Sequence, residues 1–530
     1  MSPESIISPT APSPMPPAPI GLLDRPTTAP VVQTRAGCLR GAVEHGIHVF
    51  RGIPYAAPPF GARRFEPPQR VEPWAGIRDA LDFGAEAPQP KMLPGEGVGM
   101  VWDPALPGED CLNLNIWTPA LGSTRLPVMV WIPGGMFEVG SGATYDGSRF
   151  ARDGVVCVTI NYRVGAEGFI LLPDAVANLG LLDQVAALEW VRQEIAGFGG
   201  DPDNVTIFGE SAGAMSVGTL LGMPRAAGLF HRAILQSGAA DRVIHAATAQ
   251  RMTRHLADRL GIAPTRTAFA AVEPERMIAA TTQLKAAMMS HPDPDVWGPE
   301  IVASLLPWQP VVDGRVLPEP PLDAIRAGSA GAVDVITGSN LDDWALFVVA
   351  NGSLERVTDD ILAGPVARYG FESAAAYGLT PRMLELYRAA YRGASAPVVL
   401  SAIETDWWCR VPALRLAEAH LAGPGRTYMY EFAWRSPAAG PMGACHALEL
   451  PFVFDTLDLG PSQMLGGLLG SEPPRALADA MHRAWTGFAA TGDPGWPAYD
   501  AEHRETMRFG VASVVLDDPR AFERRLWGVA

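Results

Sequence analysis

Apolar runs alternate with amphipathic segments through the middle of the chain, and this order predicts strands alternating with helices. Segments 128–132 and 155–160 are continuous apolar runs, as in strands buried on both faces. The next apolar residues recur at helical spacing, at Leu181, Val185, Leu188, Val191 and Ile195. This alternation favours a mostly parallel central sheet with helices on both faces, so the predicted fold class is α/β.

The flanking segments are interpreted by the same rules. Alternation of apolar and polar residues predicts an antiparallel meander over 31–50 and a strand over 111–117. Proline and glycine make 51–59 unsuitable for a central strand and predict a loop over 88–108. Further strands are predicted at 233–236, 333–337 and 427–432, and helices at two places within 246–290, over most of 355–421 and at 475–489.

The segment 208–213, Phe-Gly-Glu-Ser-Ala-Gly, carries the first indication of chemistry. It follows a short β-branched and aromatic run at 204–208 and precedes a helix-compatible run at 212–221. In a Gly-x-Ser-x-Gly turn between strand and helix, the glycines allow close backbone approach and the serine hydroxyl projects into a pocket. Ser211 is therefore the candidate nucleophile.

Length, composition and charge narrow the class of protein. The chain has 530 residues and no long linker, so we expect one large domain over 31–530, enlarged by helical insertions. Acidic residues outnumber basic ones by 57 to 41, the formal net charge is −16, and no basic run occurs. Nucleic acid and anionic membrane surfaces are thus not expected partners. The chain also has no apolar run of the roughly 18 residues that a transmembrane helix requires.

The N-terminal residues and the cysteines bear on localisation. Residues 1–30 are dominated by Pro, Ser, Ala and Thr and lack the basic start and apolar core of a secretory signal, so they predict a disordered tail. The five cysteines form no CxxC pair, as is typical of a reducing compartment and of neither a zinc site nor a disulfide framework. We therefore expect a cytoplasmic protein without a metal or other cofactor.

A serine nucleophile needs a base, and the base needs an orienting carboxylate. Of the ten histidines, His446 stands out because it follows a predicted strand in a Gly/Ala-rich loop late in the chain. Asp343 follows the predicted strand 333–337, at the strand end where open α/β sheets place functional residues. The order Ser211, Asp343, His446 is the order that an α/β-hydrolase requires. Gly134-Gly135-Met136, after the 128–132 strand, and Ala212 are candidates for oxyanion N–H donors, although an ordinary Gly-Gly turn is the other interpretation of the loop.

Several stretches resemble the type B carboxylesterases, the family that includes bacterial p-nitrobenzyl esterases and animal cholinesterases. The resemblance implies the α/β-hydrolase fold, with Ser211 as nucleophile, His446 as general acid and base, Asp343 as the orienting acid, and Gly135, Met136 and Ala212 as oxyanion donors. The matching stretches include 52–56 (Gly-Ile-Pro-Tyr-Ala), 109–115 (Glu-Asp-Cys-Leu-Asn-Leu-Asn), 199–202 (Gly-Gly-Asp-Pro), 208–213, 446–454 (His-Ala-Leu-Glu-Leu-Pro-Phe-Val-Phe) and 491–494 (Thr-Gly-Asp-Pro).

The chain departs from the family pattern at four places. The usual acid is Glu, whereas Asp342-Asp343 stands here; we prefer Asp343 by register and expect a shift of the loop or of His446 to make up the missing methylene. Met136 occupies a small residue's place in the oxyanion loop and should narrow the acyl side of the pocket. Ala87 replaces the cysteine that secreted members pair with the equivalent of Cys111, which predicts a free, buried thiol. Glu138 stands where many members carry an uncharged residue.

Two further residues are candidates for a supporting role. Ser237 belongs to the matching stretch 235–238, and Glu210 precedes the nucleophile. Glu210 either supports the imidazolium electrostatically or is a buried, hydrogen-bonded carboxylate. Glu449 lies three residues after His446, but a second ligand pair is missing, so we expect no metal there. Some residues could either line the substrate pocket or pack in the core, and sequence does not decide between these roles. They are Met136, Trp102, Trp297, Trp308 and Trp344.

The predicted activity is hydrolysis of carboxylic esters through an acyl-serine intermediate, with a small-molecule ester as partner and a monomer or weak homo-oligomer as the assembly. Two alternatives remain open from sequence. The same three residues are compatible with amide or carbamate cleavage or with acyl transfer, because pocket shape selects leaving group and acceptor. A non-catalytic binding module on the same fold is the other alternative.

Overall fold

The computed structural model describes residues 29–91, 106–363, 378–458 and 466–529. The predictions for residues 1–28, for 92–105 with Trp102, and for 364–377 fall outside the described residues. Within them, no helix is both long enough and apolar enough to cross a membrane.

The strands predicted from sequence are present close to the expected positions. In chain order the strands are β1 (Val31–Gln33), β2 (Cys38–Arg40), β3 (Ala42–Glu44), β4 (Ile47–Pro54), β5 (Ile77–Asp79), β6 (Asn113–Thr118), β7 (Leu126–Ile132), β8 (Val156–Ile160), β9 (Gly200–Glu210), β10 (Arg232–Gln236), β11 (Ile244–His245), β12 (Val311–Val312), β13 (Asp334–Asn340), β14 (Thr427–Phe432), β15 (Thr506–Phe509) and β16 (Val514–Leu516). Five short strands, β5, β11, β12, β15 and β16, were not predicted.

Eleven of these strands form one sheet in the order β16-β15-β14-β13-β10-β9-β7-β8-β6-β4-β3. The seven strands from β15 to β8 are mutually parallel, whereas β16, β6, β4 and β3 pair antiparallel at the two edges. The mostly parallel sheet is thus confirmed. Strand β4 runs to Pro54, further than predicted, with an irregular register between Phe50 and Ile53.

The helices surround this sheet. They are α1 (Ser148–Arg152), α2 (Gly165–Phe169), α3 (Leu179–Glu194), α4 (Ala212–Leu221), α5 (Ala246–Leu260), α6 (Arg266–Ala270), α7 (Pro274–Ser290), α8 (Pro294–Trp297), α9 (Pro299–Ser304), α10 (Pro321–Arg326), α11 (Ala345–Ala350), α12 (Ser353–Arg356), α13 (Asp359–Ala363), α14 (Pro381–Ala390), α15 (Ala396–Thr405), α16 (Val411–His420), α17 (Leu450–Val453), α18 (Gly466–Leu469), α19 (Arg475–Thr491) and α20 (Ala521–Leu526). A π-helical turn, Asp406–Arg410, joins α15 to α16.

Both faces of the sheet are covered, which explains why its central strands are apolar throughout. On β7, Val128, Val130 and Ile132 pack into a core shared with α3 and α4. The alternate residues Met129 and Trp131 pack into a second core shared with α17 and α19. Because successive side chains of a strand point to opposite faces, one apolar run supplies both cores.

Candidate active site

Ser211 lies between β9 and α4, and its backbone is strained. Its φ of 55° and ψ of −125° are conformations that a residue with a side chain rarely adopts. The flanking glycines are required by space: a Cβ on Gly209 would lie 2.6 Å from the carbonyl carbon of Gly213, and a Cβ on Gly213 would lie 2.0 Å from the oxygen of Ile132. The predicted sharp turn is therefore present, and Ser211 N–H donates to Gln236 O at 2.8 Å.

His446 and Asp343 meet beside this turn. His446 lies in the loop between β14 and α17, and its Nδ1 is 2.7 Å from Asp343 Oδ1. The other oxygen of Asp343 accepts hydrogen bonds from Ser237 Oγ and from the Asn340 backbone N–H, each at 2.8 Å. Both triad candidates after Ser211 thus lie where the sequence predicted, and Ser237 contacts the acid directly.

Asp342 faces away from the imidazole and does not compete for it. Its carboxylate forms a two-point ion pair with Arg435, with Nε to Oδ2 at 2.7 Å and Nη2 to Oδ1 at 2.9 Å. Asp343 is fully buried, whereas the Asp342 side chain retains 23% of its exposure. The geometry accordingly favours Asp343 over Asp342 as the partner of His446, in agreement with the register preferred from sequence.

Glu210 contacts the other edge of the imidazole. Its Oε1 lies 3.0 Å from His446 Nε2, but the two atoms are not aligned as a hydrogen bond, and neither Glu210 oxygen has a hydrogen-bond partner among the described residues. The short contact with the imidazole suits the electrostatic role of Glu210, and the alternative of a hydrogen-bonded carboxylate stays a prediction. In the same described ranges, no hydrogen bond joins Ser211 Oγ to His446.

The charges around His446 shift its pKa. Burial disfavours the charged ring, but the negative charge of Glu210 and the bond to Asp343 outweigh it and hold the pKa of His446 well above its ordinary value. Burial, followed by the charge of Glu210, raises the pKa of Glu449 to about 8, although Asn340 and Gln236 donate hydrogen bonds to it. At neutral pH Glu449 is therefore mainly protonated.

Free backbone N–H groups point to an oxyanion site. Within the described residues, no protein acceptor takes the N–H of Gly135, Met136 or Ala212. The loop that carries Gly135 and Met136 adopts positive φ angles, 113° at Gly135 and 58° at Met136. The carbonyl of Gly135 instead accepts from the N–H groups of Glu138 and Val139, both at 3.0 Å. The three predicted donors are thus unused by the protein itself.

A cavity of about 260 Å³ borders the oxyanion loop. Met136, which is 38% exposed, and Trp308 line it, together with residues of α7. Glu138, unexplained from sequence, forms an ion pair with Lys285 of α7, and Lys285 Nζ also lies 3.9 Å from Met136 Sδ. Sequence could not reveal this pair, because its members are 147 positions apart.

The remaining candidates lie elsewhere. Neither Trp297 nor Trp344 is among the residues that line this cavity. Trp297 packs on His255, with ring centroids 4.9 Å apart, and Trp344 packs on Phe347 at 4.5 Å. The Phe347 ring in turn lies 5.2 Å from the His446 ring. Cys111 is free and buried, as predicted.

Cys409 is a neighbour of the site that sequence reasoning missed. Its Sγ lies within 4.8 Å of ligand atoms of Asp343 and His446.

A serine held at a strained strand-to-helix turn of a mostly parallel sheet, with an acid and a histidine following in that order after later strands, defines an α/β-hydrolase. A model of the carboxylesterase family matches residues 28–526. The chain therefore belongs to the carboxylesterase family and is a carboxylic ester hydrolase of the serine type.

Individual relatives agree with this assignment. The chain is 37% identical to the para-nitrobenzyl esterase of Bacillus subtilis, over 94% of this chain and 98% of that protein. It is 34% identical to the phenmedipham hydrolase of Pseudarthrobacter oxydans, over 91% and 95% of the two chains. A crystal structure of a Geobacillus stearothermophilus carboxylesterase superposes with a TM-score of 0.80 at 39% identity, covering 94% of this chain and 99% of that one.

Proposed function

We propose that Ser211, His446 and Asp343 act as the catalytic triad of this esterase. In acylation, His446 Nε2 takes the proton of Ser211 Oγ as the oxygen attacks the ester carbonyl. Asp343 keeps the other ring nitrogen, Nδ1, protonated and oriented. His446 then gives its proton to the departing alcohol, and water repeats the sequence on the acyl-serine to release the acid.

The observation that carries this proposal is the buried contact of 2.7 Å between His446 Nδ1 and Asp343 Oδ1, next to a serine at a strained turn. Catalytic hydrogen bonds are often long or misaligned before substrate binds. We infer that His446 Nε2 turns from Glu210 towards Ser211 Oγ when an ester occupies the site.

We propose that Gly135, Met136 and Ala212 donate their N–H groups to the oxyanion. These donors have no acceptor within the described residues, so they are available to a ligand without breaking a protein hydrogen bond. Pro133 provides no N–H, but its carbonyl accepts from Tyr162 Oη at 2.8 Å, which ties down the base of the loop.

We propose that the cavity beside Met136 receives the acyl or alcohol group of a small, mainly apolar ester. Its lining includes Val139, Val164, Met277 and Trp308, with Lys285 and Glu138 as a paired polar edge. Met136→Ala should raise kcat/KM for bulky esters relative to small ones. An unchanged size profile across an ester series would contradict this placement.

The triad is tested by Ser211→Ala. We expect loss of p-nitrophenyl ester turnover and of labelling by a fluorophosphonate, with an unchanged thermal midpoint, because Ser211 Oγ makes no hydrogen bond within the described residues. Ser216→Ala is the control: it removes another buried serine, whose Oγ accepts from Gln184 Nε2 at 3.0 Å, so it should lower the thermal midpoint but keep its label at Ser211. Labelling or turnover that survives Ser211→Ala would refute the assignment.

We further propose that residues 31–530 form one catalytic domain, that the protein works in the cytoplasm, and that it is a monomer or weak homo-oligomer. All five cysteines are free and four of them are buried, which suits a reducing compartment. Sedimentation of the full chain at several concentrations tests the assembly, and a stable oligomer at low concentration would contradict it.

A further inference from the structure

The loop that carries His446 has an unfavourable backbone of its own. Gly443 has a φ of 59° and Ala447 a φ of 63°, and the second is a left-handed conformation that a residue with a side chain avoids. His446 lies between them, outside the described helices and strands. Contacts with the rest of the protein must therefore hold this loop in place.

Asp342 supplies two of those contacts. Its backbone N–H donates to Ala444 O at 3.0 Å, and its Oδ2 accepts from Ala444 N–H at 3.0 Å. The approach is close enough to require glycine next door, because a Cβ on Gly443 would lie 2.4 Å from Asp342 Oδ2. Arg435 fixes the carboxylate from the other side through the two-point ion pair.

The same loop is bonded to the acid segment at two further places. His446 N–H donates to Asp343 O at 3.1 Å, and Asn340 Nδ2 donates to Cys445 O at 2.7 Å. Besides the contact between His446 Nδ1 and Asp343 Oδ1, the segments 340–343 and 444–446 are thus joined by four hydrogen bonds, two of which belong to Asp342.

We propose that Asp342 and Arg435 are positioning residues, which hold the His446 loop in register with Asp343 so that the imidazole keeps its catalytic orientation. The proposal rests on the triad proposed above. Neither residue touches the reacting atoms; both act through the backbone of Ala444.

The exposure of this ion pair separates positioning from a purely structural role. The Asp342 and Arg435 side chains are 23% and 63% exposed, and ion pairs as exposed as this contribute little to stability. Misplacing a catalytic group by about 1 Å, by contrast, costs on the order of 100-fold in rate. Removal of the pair should therefore reduce turnover far more than it reduces stability.

The chain contains a closely matched control pair, Asp334 and Arg426, at the other end of the same strand β13. Asp334 also pairs with its arginine, at 2.9 Å, and also accepts a backbone N–H, that of Arg426, at 2.8 Å. Its side-chain exposures, 18% and 48%, resemble those of the first pair.

The experiment compares Asp342→Ala, Asp342→Asn, Arg435→Ala and the double variant Asp342→Ala/Arg435→Ala with Asp334→Ala. The readouts are kcat and KM for a p-nitrophenyl ester, the rate of fluorophosphonate labelling and the thermal midpoint. We expect Asp342→Ala to lower kcat and the labelling rate about 10- to 100-fold with KM within about twofold of wild type. Asp342→Asn keeps an oxygen that can accept from Ala444 N–H, so its kcat should fall less than that of Asp342→Ala. The double variant should lose no more than Asp342→Ala alone, because both residues act through one carboxylate.

Asp334→Ala should leave kcat within about twofold of wild type while changing the thermal midpoint as much as Asp342→Ala does. Unchanged kcat in Asp342→Ala would overturn the proposal, as would an equal kcat loss in Asp334→Ala or multiplied losses in the double variant. If Asp342→Ala fails to fold, the test uses Asp342→Asn and Arg435→Ala instead, and a wild-type kcat in both variants would overturn the proposal. Failure of the triad itself is distinguishable, because wild-type protein would then resist fluorophosphonate labelling at Ser211.

Discussion

Glu210→Gln removes a negative charge 3.0 Å from His446 Nε2 and tests how this site sets the pKa of its base. Two unit charges at this distance interact by about 1.4 kcal/mol even in bulk water, and about four times as strongly at the effective dielectric of ~20 that suits buried sites. Since one pKa unit corresponds to ~1.36 kcal/mol, the pKa of His446 should fall by at least about one unit.

The sign of the effect on activity follows from the role of the ring. In the proposed triad His446 must be neutral to accept the Ser211 proton, so kcat/KM should rise as pH increases through the pKa of His446. A lower pKa moves this acid limb to lower pH. Above the limb the variant should be slower, by about tenfold for each ~1.4 kcal/mol, because Glu210 also stabilises the imidazolium that forms in the transition state.

The assay is kcat/KM for a p-nitrophenyl ester from about pH 5 to about pH 9 at constant ionic strength. Glu300→Gln is the matched control, because Glu300 Oε1 lies 3.2 Å from a different histidine, His245. In Glu300→Gln the acid limb of kcat/KM should lie at the same pH as in wild type. If the acid limb of Glu210→Gln lies at the same pH as in wild type, or at higher pH, the electrostatic account of Glu210 is refuted.

Three other outcomes are expected. Ser237→Ala removes a donor to Asp343 and should lower kcat about tenfold or more with little change in KM; a normal kcat would show that the acid is oriented without it. Gly213→Ala places a Cβ 2.0 Å from a backbone oxygen of β7 and should reduce both activity and thermal midpoint, whereas Gly467→Ala meets open space and should change neither. The pKa of Glu449, about 8 against an ordinary 4.5, means that native protein holds a proton which unfolded protein releases, so stability should fall as pH rises between these values. Glu449→Gln should flatten that fall in urea unfolding, and an equally steep fall would exclude Glu449 as its source.

Elements with a strong periodic or apolar pattern were predictable from sequence. Strand β14 and helix α4 have the bounds that the pattern indicates, 427–432 and 212–221. Strand β9 is longer than predicted, because Gly200 pairs with Leu126 of β7 ahead of an irregular stretch, and regular pairing resumes at Val205 with Val128. Strands β15 and β16 were not predicted. They are short and partly exposed; β15 pairs with β14, which lies far away in sequence, and β16 pairs only with β15 at the sheet edge.

Some residues of the candidate site were likewise predictable from sequence and others were not. Ser211, Asp343 and His446 were identified because a local motif, strand ends and chain order each carry a sequence signal. Cys409 and the Glu138–Lys285 ion pair were not, because only the folded chain brings them to the site. The hydrogen-bonded state of Glu210 was also undecidable, since the spacing of residues says nothing about the alignment of two side chains.

The short acid connects these observations. Aspartate at 343 lacks one methylene of the glutamate usual in the family, yet it reaches His446 Nδ1 at 2.7 Å. The His446 loop is held against the acid by the direct backbone bond from His446 N–H to Asp343 O and by the two bonds between Asp342 and Ala444. A longer acid at 343 would have to displace either this docked loop or the bonds from Ser237 and Asn340 to Oδ2. The length of the acid and the position of the His446 loop therefore depend on each other. A longer acid should displace the loop, and a displaced loop should alter the contact between His446 and Asp343.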